Sequence, residues 1–162
     1  RRHAALTREI VERGHDVQNH SSSHRHHFAL LGPRGFEREI GGAQALVADL
    51  TGVAPPCFRA PAGLRNPLLD PVLHRLDLHL VSWTRRGFDT ADGHAPRVLA
   101  RLLRDLAPRD ILLLHDGHAR RGASGRPVVL EVLPALLERL HAAGLATTTL
   151  SEAVPRRAGS VA

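Results

Sequence analysis

Apolar residues recur at helical spacing over residues 1–13, at Ala5, Leu6, Ile10 and Val11, and Gly14 stands where a helix C-cap glycine belongs. Further along, "HDVQNH" (15–20) predicts a short strand, and "SSSHRHHFALLGPRG" a loop. "FEREIGGAQALVADLTG" (36–52) predicts a helix stopped by Gly52. "PPCFRAPAG" holds a brief strand broken by prolines. "NPLLDPVLHRL" reads as a helix with proline near its start, "LHLVSW" (78–83) as a strand, and "APRVLARLLRDLAP" as a strongly amphipathic helix. "DILLLHD" (110–116) has the continuous apolar character of a buried parallel strand. "GRPVVLEVLPALLERLHAAG" predicts a helix bent or restarted at Pro134, and "LATTTLSEA" a closing strand. Helix and strand alternate to the end, which predicts a parallel α/β architecture. There is no repeat and no long linker, so residues 1–154 read as one domain and 155–162 as a disordered tail.

Composition narrows the picture only a little. The 162 residues suffice for one domain with a real core, and 43% are hydrophobic, which is ordinary. No apolar run approaches the ~20 residues of a membrane span, and the first segment lacks the uninterrupted apolar core of a signal peptide. The chain begins at Arg1 and contains no methionine, so it reads as a piece of something longer. The cytoplasm and the cell envelope both stay open as compartments. The net charge is +6 and every basic side chain besides histidine is arginine. The arginines are scattered and aromatics are only 3%, so a nucleic-acid partner is not expected. Cys57 stands alone, which excludes an internal disulfide and a cysteine metal cluster.

The candidate chemistry falls at the C-terminal ends of the predicted strands, the face that carries active sites in parallel barrels. His20 and His24 follow the first strand, Arg59 closes the second, and Trp83, Arg85, Arg86 and Asp89 follow the third. His115 ends the fourth, on the same strand face as Ile111 and Leu113. If the turn after residue 20 enters a helical arc, His20 and His24 share a side and can ligate one zinc ion. A histidine-rich solvated loop is the competing reading, and His26 and His27 support it. His115 can act as a general acid or simply bond a neighbouring carbonyl. Arg59, beside Phe58, needs an anionic partner if it is half-buried. For Trp83 the choice is between core packing and a substrate platform.

Taken together, these stretches resemble the polysaccharide deacetylase family, the NodB-homology carbohydrate esterases. "GHDVQNHSSSH" resembles its His-Ser/Thr-x-x-His metal motif, with His20 and His24 as ligands. "RAPAG" resembles its Arg-x-Pro motif, with Arg59 and Pro61. "SWTRRGFDT" resembles its tryptophan-and-aspartate motif, with Trp83 and Asp89, and "LLHDG" its Leu-x-His motif, with Leu113 and His115. The order agrees along nearly the whole chain. The resemblance implies an α/β fold, an incomplete, distorted (β/α) barrel with parallel strands. It implies a metal-dependent hydrolase that removes N-acetyl or O-acetyl groups from a carbohydrate, with a zinc-bound water as nucleophile. His115 would protonate the leaving amine, Arg59 would orient the base, and Asp89 would orient or tune His115 or Arg59. Pro61, Trp83 and Leu113 would line the substrate groove.

One family motif is missing. Thr-Phe-Asp-Asp, which supplies the catalytic base and the aspartate ligand, does not occur here. Asp16 and Asp116 are near in sequence, yet neither occupies that motif position. The resemblance therefore implies an upstream strand-helix-strand unit of roughly 30 residues or more. The segment by itself is expected to be inactive, with apolar surface exposed where the first strands belong. The alternative from another class is a non-catalytic remnant of the fold that binds a glycan or a protein partner.

Overall fold

The computed structural model describes residues 3–154. It divides into two compact units, one holding the residues up to Ser82 with those from Thr148 onward, the other Trp83–Thr147.

In the first unit α1 (Ala4–Glu12) packs on α2 (Pro33–Thr51). Proline fits the first turn of α2, where its missing N–H is not needed. The helix ends at Gly52, whose φ of 76° closes it with an N–H bond to the Ala48 carbonyl. Its inner face carries Phe36, Ile40 and Ala43 at helical spacing. Phe36 and Ile40 meet Phe28, Phe58, Leu69, Val72 and Leu78 in one core. The Phe28 ring lies 5.0 Å from Phe36 and 5.7 Å from Phe58. Each such side chain stabilises the unit by about 1.5–3 kcal/mol through burial. β1 (Cys57–Phe58) and β2 (His79–Leu80) pair in parallel through the crossover helix α3 (Leu69–Arg75).

In the second unit β3 (Arg85–Arg86) pairs in parallel with β4 (Leu112–Leu113). The connecting helix α4 (Ala95–Leu103) buries Val98 and Leu102 against Val128, Val132, Leu136 and Leu140 of the segment around α5 (Val129–Ala142). Gly87 lets the end of β3 approach α4, since a Cβ there would stand 2.8 Å from the Val98 Cγ1. Among the described residues no helix is long and apolar enough to cross a membrane.

Three local expectations need correction. The predicted strand 15–20 is reduced to one parallel bridge, Asn19 to Phe58. The predicted strand 78–83 stops at Leu80, and the strand that pairs with β4 is formed instead by Arg85 and Arg86, which read as loop. Residues 145–149 form no strand and lead into α6 (Leu150–Ala153), which starts on a capping box between Thr149 and Glu152. α5 runs through Pro134 without a restart. Its buried residues Val132 and Leu136 flank the proline on the inner face, so packing holds both sides of the lost hydrogen bond. The outer face of α5 leaves Leu130, Leu133 and Leu137 exposed. The proposed tail 155–162 lies outside the described residues.

Candidate active site

The loop that carries His20 and His24 is anchored at Asn19, which is 1% exposed. Its backbone N–H donates to the Cys57 carbonyl and its carbonyl accepts from the Arg59 N–H. Its side-chain amide donates to the Ile40 carbonyl and to Gln44 Oε1, both at 2.9 Å, while Asn19 Oδ1 accepts the Ser21 N–H. Every polar group of a buried amide is thus used. Beyond it the chain turns through left-handed backbone at Ser21 (φ 68°) and His24 (φ 46°), and the His24 N–H donates to Ser21 Oγ. Such non-glycine residues cost on the order of 1–3 kcal/mol each and persist where the surroundings hold them.

This turn, and not the helical arc expected, brings the two imidazoles together. Their ring centroids are 4.9 Å apart at an interplanar angle of 68°. His20 Nδ1 lies 2.7 Å from the Arg59 carbonyl oxygen. A carbonyl only accepts, so Nδ1 carries the proton in this bond. Metal-binding imidazoles are commonly fixed by such a bond. His26 and His27 of the same loop are exposed.

The Arg59 side chain is half-buried, and among the described residues its Nε has no hydrogen-bond partner. Burial pushes the guanidinium pKa down from its ordinary value. Asp16 is not the missing partner. Its Oδ2 accepts from the Ser151 N–H at 2.8 Å and from Gln18 Nε2 at 3.1 Å. Asp116 is exposed and accepts the Gly117 N–H. Pro61 is buried and opens a 3-10 turn over Pro61–Gly63, in which Ala62 has φ 53°. Among the described residues no three His, Cys, Asp or Glu side chains cluster as a metal site.

In the second unit Asp89 is fully buried and faces His115. Asp89 Oδ2 accepts the His115 backbone N–H at 2.7 Å, and Oδ1 lies 2.9 Å from the ring Nδ1. The ring nitrogen left for proton exchange is Nε2. Leu113, two residues earlier in β4, is 8% exposed and belongs to the packed interior. Trp83 is half-buried, with the Arg86 guanidinium 5.9 Å from its ring and 4.6 Å from that of Phe88. Arg85 is spent on Asp110 at 2.6 Å and on the carbonyls of Arg104 and Asp105. A cavity of about 310 Å³ lies here, lined by Thr84, Arg85, Arg86, Phe88, Arg101 and Arg104. Sequence reasoning missed this cavity, because its arginines come from two segments that only the fold brings together. It also missed Asn19, although Asn19 sits inside the quoted motif, and Glu39.

The family model for polysaccharide deacetylases matches residues 1–81, half of the chain. The chain belongs to the polysaccharide deacetylase family. Among curated relatives, the chitooligosaccharide deacetylase of Azorhizobium caulinodans is 29% identical over 156 residues, covering 90% of this chain and 72% of that protein. The chitooligosaccharide deacetylase of Sinorhizobium fredii is 27% identical, covering 91% and 71%. The family 4 carbohydrate esterase from Streptomyces lividans, solved in complex with acetate, superposes with a TM-score of 0.82 at 27% identity, over 96% of this chain and 76% of that one. A family 4 pseudoenzyme from Bacillus anthracis superposes with a TM-score of 0.80 at 18% identity. It covers 92% of this chain, and the chain spans half of its length. These likenesses show the fold class expected, α/β with parallel strands as in an incomplete (β/α) barrel. Both two-stranded sheets are parallel and neither closes on itself.

Proposed function

We propose that this deacetylase-family chain carries part of a site that hydrolyses acetyl groups on a carbohydrate with the help of a divalent cation, most simply zinc, held in part by His20 and His24, and that the 162-residue chain by itself is inactive because it lacks the Thr-Phe-Asp-Asp aspartates. The observation that carries the reading is the preset imidazole pair. Its rings stand 4.9 Å apart, and the bond from Nδ1 to the Arg59 carbonyl fixes the orientation of the His20 ring. Two neutral imidazoles fit two positions of a zinc-type ion, and the remaining positions call for oxygen donors. A cation there supplies Lewis acidity, polarising an acyl carbonyl and lowering the pKa of water. Cobalt or nickel suits the same donors.

The chain's own residues support the rest of the reading. Water adds to the acyl carbon, the C–N bond breaks, and the products are acetate and a free amine. His115 is the group proposed to give the amine its proton from Nε2, with Asp89 holding Nδ1 and the backbone N–H. Arg59 carries a buried Nε without a partner, which suits a guanidinium built to receive a carboxylate. Pro61 and Trp83 are proposed to shape the substrate groove.

The same orphan Nε favours a second reading, a binding module that no longer turns over. Acetate release from N-acetylated chitooligosaccharide by the natural protein, with and without added zinc, separates the two. Zinc-dependent release supports the hydrolase. Tight oligosaccharide binding without release at any metal concentration supports the module.

A further inference from the structure

Glu39 lies on the inner face of α2 and is only 9% exposed, an unusual place for a carboxylate in a helix of this kind. It is held there by the histidine loop. Glu39 Oε2 accepts the Ser23 N–H at 3.1 Å and the Ser23 hydroxyl at 2.7 Å. Its Oε1 pairs with Arg25 Nε at 3.1 Å. The Glu39 backbone carbonyl accepts both the N–H and the hydroxyl of Ser22, each at 3.0 Å. One residue of α2 therefore pins two of the three residues between His20 and His24. Gly42, almost one helical turn on, makes the close approach feasible, because a Cβ there would stand 2.9 Å from Ser22 Oγ. Asn19 ties the near end of the loop to the same helix, at Ile40 and Gln44.

We infer that Glu39 is a positioning residue for the imidazole pair. Its carboxylate, bonded to Ser23 and Arg25, holds the left-handed turn that sets His20 against His24. The inference rests on the proposed cation-binding reading for its purpose, but not for its geometry. Glu39 is no ligand itself, since both oxygens are already committed within the loop. Ser23 and Arg25 cannot form these bonds to a neutral apolar side chain, so the loop loses its middle anchor when the carboxylate goes.

The test uses cobalt as the probe ion and two readouts, the dissociation constant by titration and the nuclear Overhauser contact between the two histidine rings without metal. Glu39→Ala should lose the ring contact and weaken cobalt binding about 10-fold or more, as groups that hold a ligand typically do. Glu39→Gln keeps one acceptor and should show a smaller loss in both. Leu69→Ala, in the same core but away from the loop, should lower the melting temperature and leave both readouts unchanged. Should Glu39→Ala not fold, Ser23→Ala decides, and it should also weaken the ring contact. A Glu39 variant that keeps the ring contact and wild-type affinity overturns the inference, as does an equal loss in Leu69→Ala. Wild-type protein that takes up no cobalt refutes the cation reading alone, and the ring contact then decides the role of Glu39.

Discussion

Asp89 grips His115 at two points, taking the backbone N–H on Oδ2 at 2.7 Å and facing the ring Nδ1 with Oδ1 at 2.9 Å. The carboxylate has no exposed surface, so both bonds are made in a low-dielectric setting where charged acceptors count most. In the neutral ring this geometry places the proton on Nδ1. Asp89→Asn reverses it, because the amide oxygen keeps the backbone N–H and the amide nitrogen then donates to Nδ1. Nitrogen NMR of the neutral ring should show the proton on Nδ1 in the wild type and on Nε2 in the variant. The exchanged bond should cost about 2 kcal/mol in a urea titration. An unchanged tautomer would contradict the assignment.

Asp110 gives the second unit an acid-sensitive tie. Bonds from the Thr84 hydroxyl, the Ala107 N–H and the Arg85 guanidinium lower its pKa from 3.8 to about 2. A carboxylate depressed in the folded state contributes stability that is full above the unfolded value and disappears as pH falls through the folded one. Stability should therefore fall between about pH 4 and pH 2. Asp110→Asn should flatten that limb. An identical acid slope in wild type and variant would show that Asp110 is not the cause.

Cys57 sits in β1 with 1% exposure, and burial, reinforced by the nearby charge of Asp16, pushes its thiol pKa up. Thiolate is the reactive form, so the native thiol should resist labelling at pH 8 and react at once in denaturant. Labelling of the folded protein at the denatured rate would contradict the packing of β1.

The contrast between α2 and β3 shows what was legible before the structure. The end of α2 was readable at Gly52 because a left-handed C-cap is a local device, settled by one residue. β3 was not readable, because Arg85 and Arg86 have no apolar pattern. They form a strand by pairing with Leu112 and Leu113, while Arg85 reaches Asp110 and the Arg104 carbonyl and Arg86 lies against Phe88. The contacts that the motif residues make were not readable from the sequence. Asp89 bonds His115, a pairing across 26 residues that only the fold sets. Glu39 escaped notice because a glutamate on an amphipathic helix reads as solvent-facing, and its burial depends on Ser23, 16 residues away. The final predicted strand failed for a related reason. A run such as Leu145–Thr149 becomes a strand only beside a partner, and none of the described residues pairs with it.

Zinc titration of the natural protein, with His24→Ala beside it, tests the central claim most directly. The account predicts saturable binding of a single ion to the wild type and a loss of about 10-fold or more in affinity in the variant, with folding retained. Affinity that is the same in both proteins, or no binding by the wild type, would contradict it.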